Sequence, residues 1–367
     1  MLKAIKLTNL LSFGAETEIT FNAGLNVLIG ANGSGKSNLI EVISLLQALP
    51  KDLTKVIRDG GGIEEWLWKG EKKPIAVLDI VINFQDQLLH HFLKFEAMGY
   101  YLNFLTELVY YDETKECTPK VYDDLRALED IGPIHVSVLT HFFNPVDAPE
   151  LIYLGNLYKK IRLYREWQFG RNAAPRTLQR ADLPNDFLEE DASNLGLILN
   201  SFRRNSEVKK KLLEALKLFN DNIDDFDVIV QGGYIQVFFE ENGFTIPASR
   251  LSDGTLRYLS LLAILLHPNP PPLICIEEPE LGLHPDILPT LIDLLKEAAQ
   301  KTQIIITTHS ADLVDALSDT PEAVLVFDKQ QGSTTVTRLN KEDLTEWLKD
   351  YSLGQLWSRG HIGGNRW

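Results

Sequence analysis

Cysteine is scarce in this sequence: Cys117 and Cys275 are the only two, far apart and outside any CxxC pattern. That excludes a disulfide scaffold and a zinc hook, and it fits a reducing compartment. Long apolar runs are missing too. The most apolar stretch, Leu259 to Leu266, falls short of the roughly 20 residues that span a bilayer and runs into Pro268, Pro270, Pro271 and Pro272. The start, Met1-Leu2-Lys3-Ala4-Ile5-Lys6, lacks the apolar core of a signal peptide. A cytoplasmic protein with no membrane contact is therefore expected. Positive charge is in deficit, with 36 Lys and Arg against 51 Asp and Glu for a net −15. Such a protein does not coat DNA or anionic lipid with its whole surface, which leaves only a local basic stripe for that role. Internal repeats, low-complexity tracts and sustained heptads are absent as well.

What is present is the material of an ordinary core, 44% hydrophobic and 24% charged over 367 residues. That length suggests one large domain with an insertion, or two lobes. Alternating apolar positions at Leu2, Ala4, Ile5, Leu7, Ile19 and Phe21 predict a pair of short strands. Leu25-Asn26-Val27-Leu28-Ile29 reads as a buried strand, followed by a glycine-rich turn. Leu39, Ile40, Ile43, Leu46 and Leu49 then fall at helical spacing, stopped by Pro50. Strands are expected again from about 74 to 111, a mixed and mostly helical stretch from about 120 to 220, and a hairpin around Gly232-Gly233. Beyond that, helix and strand alternate: helix at about 255–266, strand 273–276, helix 287–300, strand 303–307, helix 310–317, then a strand from Ala323 and a hairpin at Gln331-Gly332. This alternation implies an α/β fold with a parallel sheet covered on both faces.

The strongest chemical signal is Gly30-Ala31-Asn32-Gly33-Ser34-Gly35-Lys36-Ser37-Asn38, a full G-x-x-x-x-G-K-S between the buried strand and the helix. Glycines let the backbone turn its N–H groups inward as a nest for phosphate oxygens, and the helix N-terminus adds partial positive charge. Lys36 would bring a point charge to the β- and γ-phosphates of ATP, and the Ser37 hydroxyl would be a Mg²⁺ ligand. The second signal is Leu273-Ile274-Cys275-Ile276-Glu277-Glu278-Pro279-Glu280, an apolar strand that delivers acids at its C-terminal end. Glu277 is expected to hold Mg²⁺, and Glu278 to polarise the attacking water as a general base.

With those in place, Leu251-Ser252-Asp253-Gly254-Thr255-Leu256-Arg257 resembles the signature motif of ABC ATPases, about 20 residues before the acidic strand. Pro279 to Pro285, with Leu281, Gly282, Leu283 and His284, resembles the D-loop. Ile304-Ile305-Ile306-Thr307-Thr308-His309-Ser310 resembles the switch-histidine strand. The opening "NLLSFG" and "FNAGLNVLIGANGSGKSNLIE" are similar to the start of RecF-like and overcoming-lysogenization-defect ATPases, the chromosome-maintenance branch of the superfamily. The tail Leu353-Gly354-Gln355-Leu356-Trp357 to Gly363-Gly364-Asn365 resembles that of bacterial predicted AAA-family ATPases of this group. With 40 residues after Phe327, a stand-alone ATPase without a Toprim nuclease domain is expected, and without a long coiled-coil arm.

The resemblance implies a P-loop NTPase core of ABC type with an antiparallel β subdomain and an inserted helical lobe. Its expected parts are 1–115 with the P-loop, 116–225 as the helical lobe, 226–340 with the remaining motifs, and 341–367 as a tail. It also implies a nucleotide shared between two head-to-tail copies, with Ser252 and Gly254 of one copy capping the γ-phosphate held by the other. His309 would sense that phosphate. The Q-loop glutamine of the family has no obvious equivalent; Ser137-Val138-Leu139-Thr140-His141 is the matching region, with His141 where glutamine is usual. Implied partners are ATP, a second copy or a higher homo-oligomer, and an effector such as a nuclease in phage defence. Lys159, Lys160, Arg162, Arg165, Arg171, Arg176 and Arg180, followed by Arg203, Arg204 and Lys209 to Lys211, are interleaved with Tyr158, Tyr164, Trp167 and Phe169. That 158–211 stretch reads either as a nucleic-acid track or as a solvated face over core aromatics. A RecF-like DNA-repair ATPase, a transporter subunit and a non-hydrolysing sensor stand as alternatives.

Overall fold

The structure is a computed structural model and describes residues 1–111, 136–141 and 148–364. Its strands in chain order are β1 (Leu2–Thr8), β2 (Thr17–Thr20), β3 (Leu25–Gly30), β4 (Ala76–Phe84), β5 (Gln87–Met98), β6 (Tyr101–Tyr111), β7 (Arg162–Tyr164), β8 (Gln179–Arg180), β9 (Ile223–Gln231), β10 (Tyr234–Glu241), β11 (Phe244–Pro247), β12 (Leu273–Glu277), β13 (Gln303–Thr307), β14 (Val324–Gln330) and β15 (Ser333–Arg338). The helices are α1 (Lys36–Ala48), α2 (Leu53–Asp59), α3 (Ile63–Trp66), α4 (Pro149–Lys159), α5 (Leu195–Arg203), α6 (Ser206–Phe219), α7 (Asp253–Leu265), α8 (Leu288–Ala298), α9 (Ala311–Asp315), α10 (Lys341–Leu344) and α11 (Leu353–Ser358). Two compact units form, one of Met1–Ile161, Thr320–Tyr351 and Gln355–Trp367, the other of Arg162–Asp319 and Ser352–Gly354.

The first unit carries an antiparallel sheet in the order β2-β1-β4-β5-β6. Its register is set by pairs such as Ile5 with Ile19 and Ile80 with His91. Separately, β3 runs parallel to β14, Val27 beside Val324, and β14 pairs antiparallel with β15. Every residue of β3 is buried, as a strand covered on both faces requires. The turns Gln85-Asp86 and Gln331-Gly332 have positive φ at both central residues, the conformation that matches the twist of a two-residue hairpin.

In the second unit β7, β12 and β13 run parallel, with Cys275 beside Leu163 and Glu277 beside Thr307. This register puts Glu278 and Thr308-His309 at neighbouring strand ends. A smaller antiparallel sheet of β11-β10-β8, with β9 also on β10, sits under α5 and α6. The strands and helices expected after residue 250 are present within one to three residues of their predicted bounds. The expectation of a mostly helical stretch from about 120 to 220 holds for α4, α5 and α6 only. Residues 112–135 and 142–147 lie outside the described residues, and 160–194 is largely irregular with two short strands. Asn194 organises part of that irregular chain: its amide accepts from the Glu189 N–H at 2.8 Å and donates to the carbonyls of Pro184 at 2.7 Å and Phe187 at 2.8 Å. No helix among the described residues is long and apolar enough to cross a membrane.

Candidate functional site

The phosphate-binding loop leaves β3 at Gly30 and enters α1 at Lys36. Gly30, Gly33 and Gly35 have φ of 149°, 73° and 110°, conformations that side chains resist. At Gly35 space as well as φ demands glycine, because a Cβ would lie 2.3 Å from the Thr334 hydroxyl oxygen. Thr334 on β15 buttresses the loop: its hydroxyl donates to the Ser34 carbonyl at 2.8 Å and lies 2.7 Å from the Ser12 hydroxyl. Gly35 caps α1 without a side-chain partner, which leaves the first-turn N–H groups to the loop's concave side. Lys36 is buried, and its ammonium donates to the carbonyls of Gly30 at 2.8 Å and Ala31 at 3.1 Å. The Ser34 hydroxyl is buried and has no hydrogen-bond partner among the described residues. Ala31, Asn32, Gly33, Ser37 and Asn38 lie at the surface or half-buried. Curled backbone, a held cation and an orphaned buried hydroxyl together fit a polyphosphate.

The second unit gathers the acids. Glu278 follows the last residue of β12 and has φ of 45°, a left-handed conformation that costs a non-glycine residue roughly 1 kcal/mol or more. Its N–H donates to the Thr307 carbonyl at 3.0 Å and sits 3.2 Å from the Thr307 hydroxyl, while its own carbonyl accepts from Arg257 Nη2 at 3.1 Å and from the Leu281 N–H. These bonds hold the strained residue in place. Its carboxylate lies 3.7 Å from His309 Nε2, and both side chains remain about one-third exposed. His309 is therefore an accessible imidazole beside the expected base. Glu277 accepts from Arg165 Nε at 2.9 Å.

Glu280 takes up the loop after β13: its Oε1 accepts from the Thr308 hydroxyl at 2.6 Å and from the His309 N–H at 3.0 Å. Burial raises its pKa above the ordinary 4.5, against the pull of those bonds. Ser252 caps α7, its hydroxyl accepting from the Thr255 N–H at 3.0 Å. Gly254 faces the D-loop turn, where a Cβ would lie 3.0 Å from the Gly282 carbonyl. The thiol of Cys275 is fully buried and pushed far above its usual pKa, so it is inert.

Several of these partners escape sequence reasoning. Arg165 reads as one member of a basic run, and Arg257 as the last letter of the signature. Ser12 and Thr334 carry no local signal, since each matters only through the distant chain it meets. The region matched to the Q-loop is fixed to the antiparallel sheet of the first unit. Glu107 accepts from the Ser137 hydroxyl at 2.6 Å and the Val138 N–H at 2.9 Å, and lies 3.0 Å from His91 Nε2. His141 itself is exposed.

The basic stretch is mostly neutralised within the fold. Arg165 pairs with Glu277, Arg176 with Asp253, Arg180 with Asp182, Arg203 with Asp227, Lys209 with Asp225 and Lys211 with Glu297. Tyr158, Tyr164 and Phe169 are buried, and Trp167 packs between Tyr164 and Phe169 under the Arg257 guanidinium. This is the pattern of ion-paired surface over core aromatics.

A family model described as "AAA domain, putative AbiEii toxin, Type IV TA system" matches residues 25–315. Over 97 residues, 26% of this chain and 8% of that protein, the sequence is 33% identical to the chromosome partition protein Smc of Lactiplantibacillus plantarum. Over 73 residues it is 41% identical to ABC transporter A family member 12 of Arabidopsis thaliana, covering 20% of this chain and 8% of that one. The chain thus spans less than a tenth of the length of these curated relatives. Among solved structures, an Smc head bound to the C-winged helix domain of ScpA superposes with a TM-score of 0.62 at 14% identity, covering 94% of this chain and 99% of that one. An Smc head with an extended coiled coil, bound to the C-terminal domain of ScpA derived from Pyrococcus furiosus, gives 0.54 at 12% identity, covering 95% and 98%. At such identities the likeness is one of fold. The chain belongs to the AAA domain family whose model it matches, and its fold is that of the Smc heads.

Proposed function

We propose that this chain binds ATP with Mg²⁺ and hydrolyses it between two head-to-tail copies, and that the cycle switches a partner effector protein. The observation that carries the reading is Glu278, set in a left-handed turn at the end of β12 and held there by Thr307 and Arg257, with His309 beside it. A strained residue kept in place from several sides and left open to solvent suits a general base better than a structural acid. Lys36 and the inward N–H groups from Gly30 to Ser37 hold the phosphates. Ser37 and Glu277 would hold Mg²⁺, which when bound would supply charge neutralisation to the phosphates. Glu278 takes the proton of the attacking water, and His309 senses the γ-phosphate. Ser252 and Gly254 of the second copy close the site, using the positive end of α7.

The effector reading is supported by the family description, which names an AbiEii toxin and a type IV toxin–antitoxin system. It is also supported by the Smc heads of the same fold that are bound to domains of ScpA. Direct DNA binding is the weaker alternative, because most of the cations it needs are engaged by acids. The test is mass by light scattering with and without Mg-ATP, on the wild type and on Glu278→Gln. Turnover of the variant is expected to fall by at least about 10²-fold, with accumulation of a particle of twice the mass. Unchanged mass together with continued turnover by the variant would falsify the shared site.

A further inference from the structure

The stretch from Gln355 to Gly364 is tied down by a helix cap, buried side chains and ring contacts, and it reaches the phosphate-binding loop. α11 is closed by a Schellman motif: the Gly360 N–H donates to the Trp357 carbonyl at 2.9 Å, and the His361 N–H to the Leu356 carbonyl at 3.0 Å, with Gly360 at φ 76°. Leu356 and Trp357 are buried, the His361 ring stacks on Trp347 at 4.8 Å, and the Arg359 guanidinium lies over Tyr351. The turn then delivers Gly363 and Gly364, at φ 79° and 73°. Gly364 is buried, and a Cβ placed on it would lie 3.1 Å from the Gly30 Cα and 3.0 Å from Val326 Cγ1. On its other side Gly30 is closed off by the Phe327 carbonyl, 2.3 Å from where its own Cβ would be. The first glycine of the loop is therefore enclosed between β14 and the tail.

We propose that Gly364 is a positioning residue of the nucleotide site: its close approach clamps Gly30 and keeps the first turn of the loop in the shape that accepts phosphate. The inference rests on the reading of residues 30–37 as the ATP site. Two neighbouring glycines provide the test. Gly363→Ala introduces the same left-handed strain, but its Cβ meets only Val326 Cγ1, at 3.7 Å. Gly364→Ala introduces that strain and presses on Gly30. Binding of a fluorescent ATP analogue with Mg²⁺ would be titrated on wild type and both variants, with thermal midpoints in the absence of nucleotide as the check on folding. Gly364→Ala is expected to weaken binding by about tenfold or more, as loss of preorganisation does. Gly363→Ala should stay within about twofold of wild type. Equal affinities in the two variants overturn the clamp. Hydrogen exchange at the Ala31 to Ser37 amides separates this from failure of the site itself. If the wild type binds no nucleotide, the ATP reading falls, and the clamp stands only if exchange is faster in Gly364→Ala than in Gly363→Ala.

Discussion

Glu277 accepts the Arg165 Nε–H, so the carboxylate expected to hold Mg²⁺ already has a cation beside it. If Glu277 holds Mg²⁺ as proposed, Arg165 competes with the metal for that charge. In Arg165→Ala the Mg²⁺ concentration for half-maximal turnover should fall, by about three- to tenfold for one partly exposed neighbouring charge. An unchanged or higher requirement would remove Arg165 from that role. The same contact makes Arg165 a poor probe of DNA binding, since its loss also alters the acid strand. Glu280 gives a pH signature. Burial raises its pKa in the fold above the ordinary 4.5, so the folded state holds that proton more tightly than the unfolded chain. Stability from this group is full below pH 4.5 and is lost as pH rises through the elevated pKa. The Glu280→Gln variant keeps an oxygen for Thr308 and His309 and cannot ionise. Its stability relative to wild type should therefore climb as pH rises from about 4.5 and then level off, as read by denaturation at several pH values. At this scale the sequence showed the groups that do chemistry, because glycine spacing and a pair of acids at a strand end are local patterns. It hid the groups that hold them: Thr307, Arg165 and Thr334 are ordinary residues until the fold brings their partners to them.

The elements differ in how openly they announce themselves. β3, β12 and β13 are short apolar runs flanked by turn residues, and α7 and α8 carry plain helical spacing, so periodicity sufficed for them. The hairpin at Gln331-Gly332 was legible from its glycine; the Gln85-Asp86 turn, with two non-glycine residues at positive φ, offered no such sign. The irregular chain between β7 and α5 is shaped by side-chain bonds to backbone, those of Asn194 above all, and such bonds leave no period to read. Two substitutions test single elements. Ser252→Ala removes the cap of α7 and should cost about 1 kcal/mol in chemical denaturation, while Ser252→Asn keeps a capping oxygen and should cost only a few tenths. If the hydroxyl also closes the site of a second copy, the Asn variant keeps its stability and still loses ATP-driven assembly. Glu107 is the anchor of the 137–141 segment, and Glu107→Ala would leave the Ser137 hydroxyl and the Val138 N–H buried without their acceptor. A loss of about 3 kcal/mol or more is expected; a loss within experimental error would mean that the segment is held by packing instead.

For the whole molecule, net charge and ion pairing point the same way. A chain of −15 whose 158–211 cations are largely paired should release few counterions on a duplex. A gel-shift titration with a short DNA duplex at about 0.15 M salt is expected to show no saturable complex. Tight binding with a steep salt slope would revive the DNA-repair alternative. The order of motifs was legible along the chain, whereas the division into units was not, because each unit is stitched from stretches far apart in sequence. That stitching has a consequence for synthesis. Ser34 waits 300 residues for the Thr334 hydroxyl that braces it, and β3 waits nearly as long for β14. At the usual ~5–20 residues per second, the ribosome needs about 15 to 60 s to close that interval. Throughout it the nascent chain carries Leu25-Asn26-Val27-Leu28-Ile29, wholly buried in the finished protein, without its strand partner β14. The newborn polypeptide should lean on chaperones for that time, and an amino-terminal fragment ending at Ile161 should aggregate when expressed alone.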